Sequence, residues 1–146
     1  CAIYRPLNNP FLNIIMERIR KKYVCKNQIK KGRRGTRELV NLFKKKFSIA
    51  LMIDQRVSEG DNIEFFNRLA KTTTIPAQFT KKYGCNIVPV YIERHKKFHF
   101  KLSFDRPIKF NDKLDTKEIS LKLNQILEKM ILKNPAQWIW SHDRWK

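Results

Sequence analysis

Charged residues directly after apolar runs are the first places to look for chemistry in this chain. Arg5 follows "AIY", and Asp54 with Gln55 follows "ALMI". A strand ending on a guanidinium or a carboxylate aims it into the crevice beyond the carboxyl edge of a sheet, where α/β folds bind their ligands. Solvated loop residues would occupy the same positions, so the spacing leaves both readings open. The histidines offer less. His95 and His99 lie in or beside an alternating stretch with no Cys or carboxylate at ligand spacing, whereas His142 sits among tryptophans and is harder to dismiss. There is no G-x-S-x-G, Walker A or G-x-G-x-x-G pattern, so a serine elbow, a phosphate loop and dinucleotide binding lose support. Cys1, Cys25 and Cys85 are odd in number and widely spaced. That argues against a disulfide framework and against zinc, favours a reducing compartment, and leaves no metal and no cofactor to expect.

Charge points to the partner. The 32 Lys and Arg against 13 Asp and Glu give a net charge of +19, beyond what solubility requires, so the surface suits a polyanion: nucleic acid, anionic lipid or an acidic protein. From Lys21 to Arg37, "KKYVCKNQIKKGRRGTR" holds eight cations and no acid, which repel one another unless something anionic lies near. All three tryptophans fall in the closing "NPAQWIWSHDRWK". Rings interleaved with cations suit a lipid headgroup layer, a nucleic-acid strand or a seam within the domain.

The elements that must carry these residues are legible from periodicity. At 146 residues and 42% hydrophobic, the chain fits one domain with a real core and no internal boundary. "AIY" predicts the end of a strand, and Asn9 and Pro10 predict an N-cap and first helical residue before Leu12, Ile15, Met16 and Ile19 at helical spacing. A second helix is predicted to be capped near Thr36. "FSIALMI" and "NIVPVYI" predict buried strands, and "IEFF" a further strand. Thr74 and Pro76 predict the opening of a helix closed by Gly84, and Asp115 with Glu118 a capping box before a long helix ended by Pro135. In "KFHFKLSF" the apolar Phe98, Phe100, Leu102 and Phe104 alternate with polar residues, predicting a half-exposed strand with His99 in solvent. The fold class expected is α/β, a mixed and mostly parallel sheet flanked by helices. No run approaches the length of apolar residues that spans a bilayer.

Taken in order, "YRPLNNP", "GTREL", "ALMIDQ", "IEFF", "NIVPV" and "NPAQWIWSHDRWK" resemble the lipid A biosynthesis lauroyl and myristoyl acyltransferases of the lysophospholipid acyltransferase superfamily. The resemblance covers Tyr4 to Lys146. It implies part of a glycerolipid-acyltransferase-like domain, with residues 1–146 forming the C-terminal part of a single acyltransferase domain. The implied enzyme of lipopolysaccharide biosynthesis moves a fatty acyl group from acyl carrier protein to a hydroxyl of a lipid A precursor, on the cytoplasmic face of the inner membrane. Family members pair a His with an acid five positions on, the His serving as general base. Here Phe100 and Phe104 stand five positions beyond His95 and His99, and the chain stops short of that position after His142. The implied reading is therefore a fragment whose catalytic His and membrane anchor lie upstream and which is inactive alone.

By motif, the resemblance makes Arg5 and Arg37 candidates to hold phosphate or developing negative charge, and Asp54 with Gln55 candidates to line the site. Val88, Pro89 and Val90 match a structural strand motif beside it. Ala136, Asp143 and Asn67 depart from the residues usual in the family. The tail is a family signature, in which Trp145 and Lys146 are the candidates for headgroup contact while Trp138 and Trp140 suit a lock on the core. Implied partners are acyl carrier protein, the lipid A precursor and an anionic membrane surface. Nucleic acid is disfavoured, because most Phe residues occupy core-periodic positions and no helix concentrates a recognition face. A basic nucleic-acid-binding module and a catalytically dead remnant are the alternatives.

Overall fold

Asn9 caps the first helix by accepting from the backbone N–H of Phe11 (3.0 Å) and Leu12 (3.3 Å), with Pro10 filling the first turn, where its missing N–H has no partner to lose. In the computed structural model, which describes residues 1–146 apart from the side chain of Arg33, this helix is α1, Pro10–Tyr23. It lies between strands β1, Ala2–Tyr4, and β2, Gln28–Lys30, which pair in parallel with Ala2 opposite Gln28 and Tyr4 opposite Lys30. Helix α2 follows at Arg33–Lys44, and a single parallel bridge joins Ala2 to Ala50. These elements form one compact unit, Cys1–Met52.

Its centre is small: Ile29 of β2 and Leu39 of α2 are buried. A side chain at Gly35 would put its Cβ 2.0 Å from the carbonyl oxygen of Lys30, so only glycine lets α2 lie this close to β2. Glu17 ties α1 to both strands, accepting from the Tyr4 hydroxyl (2.6 Å) and the Asn13 amide (2.8 Å) and pairing with Lys30 (3.1 Å). Those three donors hold its carboxyl down at about 2, while burial and the Glu17 bond push Tyr4 up to about 12. None of the residues of α1 is buried.

The second unit, Ile53–Lys146, is antiparallel. Strands β3, Asp61–Phe65, and β4, Arg68–Thr72, form a hairpin whose two turn residues, Phe66 and Asn67, both have positive φ (50° and 58°). A right-twisted hairpin wants that backbone sign at a two-residue turn. Helix α3, Ile75–Tyr83, ends on Gly84 in the left-handed region. Strands β5, Val90–Lys96, and β6, His99–Phe104, make a second hairpin. Helix α4, Thr116–Lys133, begins with reciprocal bonds: Glu118 N–H to Asp115 (2.7 Å) and Asp115 N–H to Glu118 (2.6 Å). A short 3-10 turn, Pro135–Gln137, follows. Ala77, Phe110, Ile119 and Leu123 form one core cluster, and Phe65, Ala70 and Ile131 another.

The mixture of helices and strands is the α/β class expected, and α1, α3 and α4 begin where Asn9, Thr74 and Asp115 placed them. The mostly parallel sheet is corrected: there are three two-stranded sheets, one parallel and two antiparallel. "FSIALMI" is extended with one bridge at Ala50, and Phe47 and Met52 are exposed. β1, to which Ala50 bridges, is three residues long, too short to build a ladder along the run. Before β5 starts at Val90, "NIVPVYI" pairs through an antiparallel bridge from Ile87 to Ile108 and a bond from the Asp105 N–H to the Pro89 carbonyl (3.0 Å), since Pro89 has no N–H to donate in return. Thr36 lies inside α2 rather than at its cap, since Gly32 (φ 133°) turns the chain straight out of β2 and the Thr36 hydroxyl bonds back to the Gly32 carbonyl (3.3 Å). The apolar residues of "KFHFKLSF" are all exposed, so that strand is not half-buried through them. Among the described residues, no helix is long and apolar enough to cross a membrane.

Candidate functional site

The closing segment is fastened to the second unit at five points. Gln137 pairs its side-chain amide with the main chain of Arg94 in both directions, donating to the carbonyl (2.8 Å) and accepting from the N–H (2.9 Å). In effect a side chain extends the hydrogen bonding of β5. Trp138 and Trp145 both pack on Phe65, edge-on at 5.9 Å and stacked at 5.6 Å, and the Trp145 indole N–H donates to the Phe65 carbonyl (2.9 Å). His142 accepts at Nε2 from the backbone N–H of Arg56 (3.0 Å). The imidazole thus anchors the tail to the backbone at Arg56.

The fifth point is Arg144, the largest fully buried side chain. It donates to the Lys71 carbonyl and to the Thr72 hydroxyl (2.9 Å) and lies over the Phe65 ring at 5.3 Å. Thr72 also accepts from Asn124 (3.2 Å) and donates to the Ala70 carbonyl (3.1 Å), so its hydroxyl uses its one donor and both acceptor positions. Asn124 reaches the Glu64 carbonyl as well (2.8 Å). Burial lowers the Arg144 guanidinium, and the Asp54 carboxylate opposes that by favouring the charged form.

Asp54 is thus half-buried at the start of the second unit with an electrostatic tie to Arg144, while Gln55 beside it is exposed. The tail positions this turn through the bond from His142 to Arg56 and the charge of Arg144. Arg5 and Arg37 belong to the first unit. Arg5 leaves β1 exposed, at the rim of a shallow depression of about 340 Å³ that it lines with Pro6, Leu7 and Asn8. Arg37 is exposed on α2. Lys146 is exposed, and Trp145 is half-buried with Arg68 5.6 Å over its ring.

Arg144, Thr72, Asn124 and Gln137 were not singled out by the sequence. A cation between two tryptophan positions gives no sign of facing inward, and only Gln137, inside the tail motif, carried a signal that could have found it. His95 approaches Glu93 at 3.7 Å, too far for the hydrogen bond by which an acid orients a base. Val90 opens β5, and Val88 and Pro89 precede it.

A family model described as "Bacterial lipid A biosynthesis acyltransferase" matches residues 1–146. The chain belongs to that family. It is 26% identical over 150 residues to a "Lipid A biosynthesis acyltransferase" of Haemophilus influenzae (strain ATCC 51907 / DSM 11121 / KW20 / Rd), with 99% of this chain and 47% of the relative covered. The chain spans about half the length of the curated relative it matches.

Proposed function

We propose that the chain is the C-terminal part of an acyltransferase that moves a fatty acyl group from acyl carrier protein to a hydroxyl of a lipid A precursor, on the cytoplasmic face of the inner membrane. The observation that carries this reading is the family match along the whole chain. Net charge supports it, because +19 suits a phosphorylated acceptor, an acidic carrier and an anionic leaflet at once. In this reading Arg5 and Arg37, whose guanidinium groups are free to meet solvent, hold acceptor phosphate. Asp54 and Gln55 line the site from the turn fastened by the tail. Trp145 and Lys146 mark where that tail meets headgroups, with Lys146 supplying the exposed charge.

Deprotonating the acceptor hydroxyl needs a base, and no His here has an acid five positions on. General-base help is worth about 10² to 10⁴ in rate, so the 146-residue chain should not turn over. The longer enzyme containing it should form acylated lipid A precursor from acyl carrier protein, with KM for the acceptor raised in Arg5→Ala and Arg37→Ala. Turnover by the isolated chain would refute the division of labour, and failure of the longer enzyme to acylate a lipid A precursor would refute the function.

A further inference from the structure

A two-stranded sheet packed on a helix ordinarily turns its apolar side inward. The β5–β6 hairpin does the reverse. Its register sets Val90 opposite Phe104, Ile92 opposite Leu102 and Arg94 opposite Phe100 on one face, and Tyr91 opposite Ser103 and Glu93 opposite Lys101 on the other. The second face meets the C-terminal end of α4: Lys133 lies 5.5 Å over the Tyr91 ring, and Asn134 donates to Glu93 (3.4 Å). Tyr91, Glu93 and Ser103 are accordingly half-buried.

The first face is left outside. Val90, Ile92, Phe100, Leu102 and Phe104 are each between 45% and 67% exposed, and Phe98, in the two-residue turn at the tip, is 90% exposed. Cations surround it. From Val90 to Phe104 the hairpin has four Lys or Arg against the single acid Glu93; Glu93 and its partner Lys101 lie on the face toward α4, which leaves Arg94, Lys96 and Lys97 as the cations nearest the apolar face and the tip. The Arg94 guanidinium sits 5.0 Å over the Phe100 ring, an arrangement that keeps charge at the border of the apolar area.

We propose that this face is a docking surface for an anionic lipid bilayer, with Phe98 entering the headgroup–acyl boundary and Arg94, Lys96 and Lys97 meeting lipid phosphates. The charge distribution selects this occupant: apolar contact area rimmed by cations matches an interface whose interior is hydrocarbon and whose surface is negative. Gln137, bonded to both main-chain groups of Arg94, holds the hairpin at this angle, which gives the tail a part in membrane contact through the strand it braces. The inference rests on the membrane-surface reading above and adds to Trp145 and Lys146 a second contact surface, distinct from the basic Lys21–Arg37 stretch.

The test is co-sedimentation of the 146-residue chain with vesicles of phosphatidylglycerol and phosphatidylethanolamine, compared with vesicles of phosphatidylcholine alone. Phe98→Ser should weaken binding to the anionic vesicles about tenfold, and Lys96→Gln with Lys97→Gln about fivefold for each charge removed, both with unchanged melting temperature because these groups are exposed. A Phe98→Trp chain should gain fluorescence that brominated acyl chains quench. If the hairpin variants bind like the wild type while Lys21→Gln, Lys22→Gln and Lys26→Gln together abolish binding, this inference falls and the membrane reading stands. If the unaltered chain ignores anionic vesicles, both fall. A chain that is dimeric, is made monomeric by Phe100→Ser and binds vesicles unchanged would assign the face to a second copy and overturn the proposal.

Discussion

Replacing Arg144 by Ala should loosen the second unit more than any change to a surface cation. The wild-type guanidinium makes two charge-assisted hydrogen bonds, to the Lys71 carbonyl and the Thr72 hydroxyl, each worth about 1.5–3 kcal/mol. Truncation also leaves a void beside Phe65. Against this stands the desolvation of a buried cation, which the mutation relieves and which amounts to several kcal/mol. The net expectation is a loss of about 2–4 kcal/mol, since a buried network with one member removed leaves the others short of partners. With a urea slope of about 1–3 kcal/mol per molar, the midpoint should fall by roughly 1 M or more. Tryptophan fluorescence is the natural readout, because Trp138 and Trp145 both sit on Phe65. Arg144→Lys should fall between the two, keeping the charge but losing the fork. A midpoint for Arg144→Ala within about 0.3 M of wild type would refute the view that this arginine fastens the tail.

Gly35→Ala should destabilise the first unit by about 1–3 kcal/mol through overpacking, seen as faster amide exchange along α2, because the added Cβ would meet the Lys30 carbonyl oxygen at 2.0 Å. Glu17, held at about 2 rather than 4.5, contributes stability that is complete above pH 4.5 and lost as pH falls toward 2, since the unfolded carboxylate takes up its proton first. In Tyr4→Phe the dependence of the unfolding midpoint on pH across that window should flatten. Tyr4, raised from 10 to about 12, has the opposite sign: its contribution is complete below pH 10 and lost as pH rises to about 12, which phenolate absorbance can follow. Asp54→Asn in the complete enzyme should lower activity sharply while costing about 1 kcal/mol or less of stability through weaker support of Arg144. Equal loss of activity and melting temperature would make Asp54 a structural residue alone.

Local signals carried much of the architecture. Asn9 with Pro10 and Asp115 with Glu118 predict helix starts because a capping side chain bonds a backbone group two or three residues away, an interaction complete within the sequence that encodes it, and Gly84 predicts a helix end because it takes the left-handed conformation without a Cβ penalty. Strands were less legible. β4 went unread because "RLAKT" depends on the turn at Phe66 and Asn67 and on pairing with β3, and apolar residues such as those in "FSIALMI" show a capacity for burial without naming a neighbour. The orientation of the β5–β6 hairpin was hidden for the same reason: alternation separates two faces but does not say which one α4 will meet.

The candidate site divides along the same line. Residue type and order were enough to single out Arg5, Arg37, Asp54 and Gln55, and the motif order was enough to reach the family to which the chain belongs. Sequence alone also determined the charge of +19 and the absence of a His with an acid five positions on. Only the tertiary structure decided that Arg144 is a buried clamp, that His142 accepts a backbone hydrogen bond and that Gln137 completes the edge of β5. Each of those roles depends on a partner more than 40 residues away along the chain, and the composition around an arginine, a histidine or a glutamine is the same whether its donors end in water or in a protein interior.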